Sequence, residues 1–262
     1  MTLQKAIFFD IDGTLVNAAG EVPVSALQSI DKARKRGHRI FIATGRSKAG
    51  LVGELGNIKF DGMVLGSGAY IECENKTLYR KTISNGQLTD IVNCLFSEGA
   101  DIIFETEDKV YLPMNHEINL WGDNVEYYYA RDWESITNIH KFIYRNSKSD
   151  MDSLQKRFSD QFLILPNSFG EVQGEFSGEV TEIGVTKKTG IRRIQEHLDI
   201  NRKDIIAFGD NWNDIEMIKY AGIGIAMGNG VEELKAVADI VTPSVEDDGV
   251  AIQLNKLGLT SI

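Results

Sequence analysis

The chain has 262 residues, 42% of them hydrophobic, with 28 basic against 38 acidic side chains and a formal charge of −10 at pH 7. That apolar share supports a packed core and excludes a disordered chain. The acidic balance, with no Lys/Arg-rich tract, argues against nucleic acid, and the lack of any run of about 18 apolar residues argues against a membrane partner.

The first residues, Met1 to Lys5, carry no secretory apolar region, and Cys73 and Cys94 sit in no metal-ligand spacing. Both observations predict a cytoplasmic protein with reduced thiols. Lys5 to Phe9 then reads as a short buried strand ended by an Asp/Gly cluster. Leu27, Ile30 and Ala33 predict a helix over Pro23 to Arg36, stopped at Gly37. Arg39 to Ala43 and Met63 to Leu65 follow as strands. From Lys81 to Glu182 the texture changes: aromatics gather (Trp121, Tyr127, Tyr128, Tyr129, Trp133) and extended segments alternate, as in Phe162 to Leu165 and Val172 to Phe176. This suits an antiparallel sheet covered on one face.

Ile191, Ile194 and Leu198 restore the first rhythm with a helix, followed by a strand at Ile205 to Phe208 and a helix at Ile215 to Tyr220. A strand at Gly224 to Met227, a helix at Val231 to Val237 and a strand at Ile240 to Thr242 complete it. The expected fold is therefore α/β, a doubly wound parallel sheet built from residues 1–80 and 183–262. Residues 81–182 form an inserted α+β domain.

Three core strands end in a polar residue: Asp10, Thr44 and Asp210. In a parallel sheet the carboxyl ends share one edge, where open α/β proteins bind ligands. Asp10 and Asp12, two apart, face the same side of an extended segment and repel unless a cation lies between them. Asp210 and Asp214 add two carboxylates one helical turn apart. An acidic cluster without Cys or His favours Mg²⁺ over Zn²⁺.

The ordered set DIDGT (Asp10 to Thr14), ATGR with Thr44, Lys187 in VTKKTGI, and GDNWND with Asp210 and Asp214 resembles the haloacid dehalogenase superfamily. Within it, the large insertion between Thr44 and Lys187 resembles the Cof-type phosphatases with a type IIB cap. The likeness extends to Ala226–Gly230 and Glu246–Val250. The resemblance implies a Rossmann-like core, a substrate-selecting cap, and hydrolysis of a small phosphorylated metabolite by a monomer or homodimer. It implies Asp10 as nucleophile, Asp12 as general acid and base, and Mg²⁺ held by Asp10, the Asp12 carbonyl and Asp210. Thr44, Gly45, Lys187 and Asn213 would hold the phosphate, and Asp214 would orient Lys187 or metal-bound water. Ser67-Gly68-Ala69 stands where relatives often carry Asn-Gly-Ala, and Lys188 where they carry Gly.

Elsewhere ordinary roles are expected. Lys188 reads as a solvated lysine at a helix start, and His38, His116, His140 and His197 as surface or packing residues. Gly228-Asn229-Gly230 reads as a strand-to-helix turn, and Tyr127 to Tyr129 as partly buried cap-sheet residues. Arg46 is the exception, placed to contact an anionic substrate or the cap. A receiver-type phospho-acceptor is excluded by length and by the GDNWND motif. A transport ATPase is excluded by Asp12 and by the missing spans. A phosphomutase and a silent phosphate-binding protein remain as alternatives.

Overall fold

Four apolar residues, Ala6–Phe9, form β1 and are buried on both faces, as a central parallel strand requires. In the computed structural model, residues 4–51, 55, 58–113, 126–130, 132–167 and 176–260 are described. In chain order there follow α1 (Val24–Lys35), β2 (Arg39–Ala43), β3 (Gly62–Leu65), β4 (Tyr70–Cys73), β5 (Lys76–Arg80), α2 (Asn85–Ser97), β6 (Asp101–Glu105), β7 (Val110–Pro113) and β8 (Tyr127–Ala130). Next come β9 (Lys141–Ser147), α3 (Met151–Phe158), β10 (Phe162–Leu165), β11 (Phe176–Glu182), α4 (Lys187–Leu198) and β12 (Ile205–Gly209). The last elements are α5 (Ile215–Tyr220), β13 (Ile223–Ala226), α6 (Glu232–Lys235), β14 (Ile240–Val241) and α7 (Gly249–Lys256). Val172 to Glu175, His116 and Trp121 lie outside the described residues.

The chain divides into two units, one of Met1–Gly45, Val52–Tyr79 and Thr186–Ile262, the other of Arg46–Leu51 and Arg80–Val185. The first is built on an eight-stranded sheet of order β14-β13-β12-β1-β2-β3-β4-β5. The six strands from β14 to β3 run parallel, and β4 turns back antiparallel on β3. Phe8 stacks on Phe41 at 4.6 Å and Phe9 on Phe208 at 5.0 Å, so each face of β1 carries an aromatic pair. Ile191 and Ile194 of α4 and Met217 and Ile218 of α5 pack on the Phe8 face. α1 packs on α7 and on β2. The β4–β5 hairpin, absent from the sequence-based expectation, extends the sheet where β5 is half exposed. Lys76–Arg80 has neither an apolar run nor an apolar/polar alternation, which is why periodicity passes over it.

The second unit holds a six-stranded sheet of order β10-β11-β9-β6-β7-β8, antiparallel except for the β7–β8 pair. Leu88, Ile91, Val92 and Leu95 of α2, with Leu154 and Phe158 of α3, cover its Phe104, Phe142 and Val180 face. Strand alternation puts Glu105, Lys141 and Glu179 on the other face. Lys141 is buried between the two carboxylates, 2.8 Å from Glu179 and 3.2 Å from Glu105. Arg46–Leu51, counted with the core from sequence, groups with this unit. The Ser47 N–H donates to Glu105 Oε2 (3.2 Å) and the Lys48 N–H to the Glu107 carbonyl (2.9 Å).

Candidate active site

Parallel pairing aligns Phe9 with Ile42 on one side and with Phe208 on the other. Asp10 therefore lies level with Ala43 and Gly209, while Thr44 and Asp210 sit one residue further along the neighbouring strands, about 4.8 Å to either side. The Asp10 N–H donates to the Phe208 carbonyl (3.0 Å) and holds that register to the last residue. Thr44 is buried with its main chain paired on both sides, its N–H on Val64 and its carbonyl accepting from the Ser67 N–H, each at 2.9 Å.

Lys187 enters from the start of α4, where Thr186 and Thr189 form a capping box. Its side chain is 1% exposed, and its ammonium reaches Asp10 Oδ1 at 2.6 Å, Asp214 Oδ1 at 2.6 Å and Asn213 Oδ1 at 3.2 Å. Burial alone would lower the lysine pKa. The carboxylates of Asp10 and Asp214 outweigh that effect and hold it above its ordinary value. Asp214 is fully buried, and its Oδ2 accepts the N–H groups of Asp210 (2.9 Å) and Asn211 (3.0 Å). One carboxylate thus shapes the Asp210 loop with one oxygen and orients Lys187 with the other.

Asp10, Asp210 and Asp214 each offer an oxygen within 4.8 Å of the others. Three carboxylates against one ammonium leave two negative charges in a largely buried place. Burial and this imbalance raise the pKa of two of the carboxyl groups. Burial raises Asp10 well above the usual carboxylate range against the pull of Lys187, with Asp214, Asp210 and Asp12 pushing the same way. Burial and the charge of Asp214 push Asp210 up to about 7, against a hydrogen bond from Thr14 Oγ1 (2.9 Å) and the pull of Lys187. A hard divalent cation bound through oxygen would cancel that surplus, so the donor set fits Mg²⁺.

Asp12 lies in the tight turn after β1, where the carbonyl of Ile11 accepts the N–H groups of Thr14, Leu15 and Val16. It is half exposed, and its carboxylate does not belong to the three-carboxylate group. The turn needs glycine at position 13. Its φ of +81° is costly for a residue with a side chain, and a Cβ would sit 2.3 Å from Asp210 Oδ2. Sequence pattern passes over two further residues here: Thr14 bonds Asp210, and Asn229 Nδ2 donates to the Gly13 carbonyl (2.8 Å). The NG dipeptide reads as a turn by composition, and only the fold shows what its side chain reaches.

The remaining candidates are placed as follows. Gly45 closes the first segment of the core unit. Arg46 is 8% exposed, and its Nη1 donates to the Gly50 carbonyl at 2.8 Å. Lys188 points to solvent, 3.9 Å from Glu216. His38 is buried and accepts the Lys5 N–H, His140 is buried, and His197 is exposed.

The sequence profile of the haloacid dehalogenase-like hydrolases matches residues 7–254. A protein of Bacillus subtilis (strain 168) named "Putative phosphatase YkrA" is 29% identical over 257 residues, covering 98% of each chain. The 5-amino-6-(5-phospho-D-ribitylamino)uracil phosphatase YitU of the same organism is 25% identical, covering 95% of this chain and 96% of its own. Among solved structures, the HAD subclass IIB sugar phosphatase BT4131 superposes with a TM-score of 0.82 at 27% identity, over 98% of this chain and all of its own. With the strand-end carboxylates and the buried lysine in place, the chain belongs to the haloacid dehalogenase-like hydrolases and is an enzyme of their phosphatase type.

Proposed function

We propose that this enzyme is a Mg²⁺-dependent phosphohydrolase that transfers the phosphoryl group of a small phosphorylated metabolite to Asp10 and then to water. The observation that carries the reading is the buried contact of Lys187 with Asp10 and Asp214 beside Asp210. An ammonium 2.6 Å from the Asp10 carboxylate pulls it toward the ionised, nucleophilic form, against the burial that raises its pKa and that a bound cation would offset.

Asp10, Asp210 and the main-chain carbonyl of Asp12 are assigned to Mg²⁺. Bound there, the ion would screen the repulsion between an attacking carboxylate and a phosphate dianion. In the first step an Asp10 oxygen bonds to phosphorus as the ester P–O bond breaks, and Asp12 gives its proton to the departing oxygen. In the second step Asp12 takes a proton from water, whose oxygen attacks phosphorus and frees Asp10. Thr44, Gly45 and Lys187 are assigned to the phosphoryl oxygens. Asn213 joins them, since its amide oxygen is engaged by Lys187 and its NH₂ end is a donor. Arg46 is assigned to the substrate.

The relatives' names point to phosphorylated sugars and a ribitylamino phosphate, so a sugar phosphate or similar metabolite is the proposed substrate class. Residues 81–182 are the part proposed to select it. A cytoplasmic enzyme working as a monomer or homodimer is the proposed setting, in keeping with the free thiols of Cys73 and Cys94. Phosphate release from a metabolite panel, with Mg²⁺ and after chelation, tests the reaction. Mass spectrometry of trapped phosphoenzyme tests the nucleophile. Asp10→Asn should form no phosphoenzyme, whereas Asp12→Asn should be slowed about 10²–10⁴-fold and accumulate it with a good leaving group. Full activity after chelation, or phosphate on Asp12, refutes the assignment.

A further inference from the structure

Two sequence segments, Ala226–Gly230 and Glu246–Val250, have no chemical role in the reaction as described. In the fold the first is bonded to the loop after β1 and to Pro243 and Val245, the residues that lead into the second. The turn after β13 begins with the Met227 N–H on the Gly209 carbonyl (2.9 Å) and ends with the Val231 N–H on the Asp210 carbonyl (2.8 Å). It is thereby docked on the strand end that carries Asp210. A Cβ at Gly230 would lie 2.9 Å from that same Asp210 carbonyl, so the docking is close. On its other side the Gly228 N–H donates to the Pro243 carbonyl (3.2 Å), joining it to the turn that leads into Glu246–Val250.

Asn229 sits at the tip of this turn, and both ends of its amide are engaged. Oδ1 accepts the Val245 N–H at 3.0 Å, and Nδ2 donates to the Gly13 carbonyl at 2.8 Å. The partners fix the amide orientation, because an N–H requires the oxygen and a carbonyl requires the NH₂. The Gly13–Thr14 peptide is therefore held from both sides, by Asn229 on its oxygen and by the Thr14 N–H on the Ile11 carbonyl (3.2 Å). The peptide before it is held by the Gly13 N–H on the Val16 carbonyl (2.9 Å). Gly13 is the point at which this loop could rearrange, since glycine alone has wide freedom at φ +81°. Asp12 is the residue next to it.

We propose that Asn229 is a positioning residue for Asp12: by clamping the Gly13 carbonyl it keeps the turn in the one conformation that aims the Asp12 carboxyl at the leaving oxygen. The proposal rests on the assignment of Asp12 as general acid. It predicts a selective defect. A poor leaving group needs the proton that Asp12 supplies, whereas an activated aryl phosphate departs without it. A catalytic group displaced by about 1 Å can lose roughly 10²-fold.

The test compares kcat/KM, which reports the steps up to phosphoryl transfer, for an alkyl phosphate and for p-nitrophenyl phosphate. Asn229→Ala is expected to lose about 10- to 100-fold on the alkyl ester and less than about 3-fold on the aryl ester. Asn229→Asp keeps the acceptor for Val245 but turns a carboxylate oxygen to the Gly13 carbonyl, so it should show the same selective loss. A merely structural role would instead lower kcat/KM for both substrates together in both variants, and that result overturns the proposal. Asp12→Asn, measured alongside, separates the two levels of inference. Selective loss in Asp12→Asn with none in the Asn229 variants refutes positioning by Asn229. No selectivity in Asp12→Asn refutes the acid assignment itself, and the proposal falls with it.

Discussion

Replacing Asp210 by Asn should stabilise the metal-free protein at pH 8 while destroying activity. Burial and the neighbouring Asp214 charge raise the Asp210 carboxyl from 3.8 to about 7. A native pKa above the unfolded one means that the folded state keeps its proton longer. The contribution of this group is fully present below about pH 4 and is lost as pH rises through 7. A difference of about three pH units corresponds to roughly 4 kcal/mol, which partial solvent access reduces to about 2–4 kcal/mol. Asn is nearly isosteric, retains an oxygen for Thr14 Oγ1 and carries no charge, so it escapes this cost. Urea unfolding of chelated samples should therefore place Asp210→Asn above the parent by about 2–4 kcal/mol at pH 8 and close to it at pH 4. Mg²⁺ at about 100 times its Kd should add about 2.7 kcal/mol to the parent and much less to the variant, whose ligand set is weakened. A variant less stable than the parent at pH 8 after chelation, or equally stabilised by Mg²⁺, would show that no surplus of negative charge exists at this site.

Gly13→Ala should cost at least about 1–2 kcal/mol from the backbone alone and abolish activity, because its Cβ meets Asp210 Oδ2 at 2.3 Å. Gly20→Ala is its control: φ is +82° there, but nothing lies within 4 Å, so equal losses of Tm and activity in the two variants would refute the contact. His140 is held at about 4, first by burial and then by the charge of Arg80, below its unfolded value near 6.5. The stability it contributes is complete above pH 6.5 and falls as pH drops through 4, by up to about 3 kcal/mol. His140→Gln should flatten the acid side of the stability curve measured by urea unfolding. An unchanged slope between pH 7 and pH 4.5 would refute it.

Much of the fold could be read from local pattern. Strands buried on both faces appear as unbroken apolar runs, as in Ala6–Phe9 and Ile205–Gly209, and their helices show apolar spacing with capping residues, as Thr186 does before α4. Strand-end Asp10, Thr44 and Asp210 were legible because parallel pairing carries every carboxyl end to one edge. β5 was not, because its side chains are half to fully exposed and its apolar residues, Leu78 and Tyr79, are adjacent and do not alternate with polar ones. Arg46–Leu51, read with the core from sequence, groups with the second unit, where its main-chain N–H groups donate to the Glu105 carboxylate and the Glu107 carbonyl, contacts that leave no periodicity in its own residues.

The sequence by itself determined which chemical groups exist and on which strand ends they sit, since residue type and periodicity are local properties. Which of them share charge was decided only by tertiary structure. Lys187 lies 177 positions from Asp10 and 27 from Asp214, and only the folded sheet brings its ammonium to 2.6 Å from both. The same holds for Asn229, 216 positions from Gly13. A hydrogen bond across such a separation leaves no periodicity in the chain, because its geometry depends on how strands and turns pack and not on any neighbour in sequence.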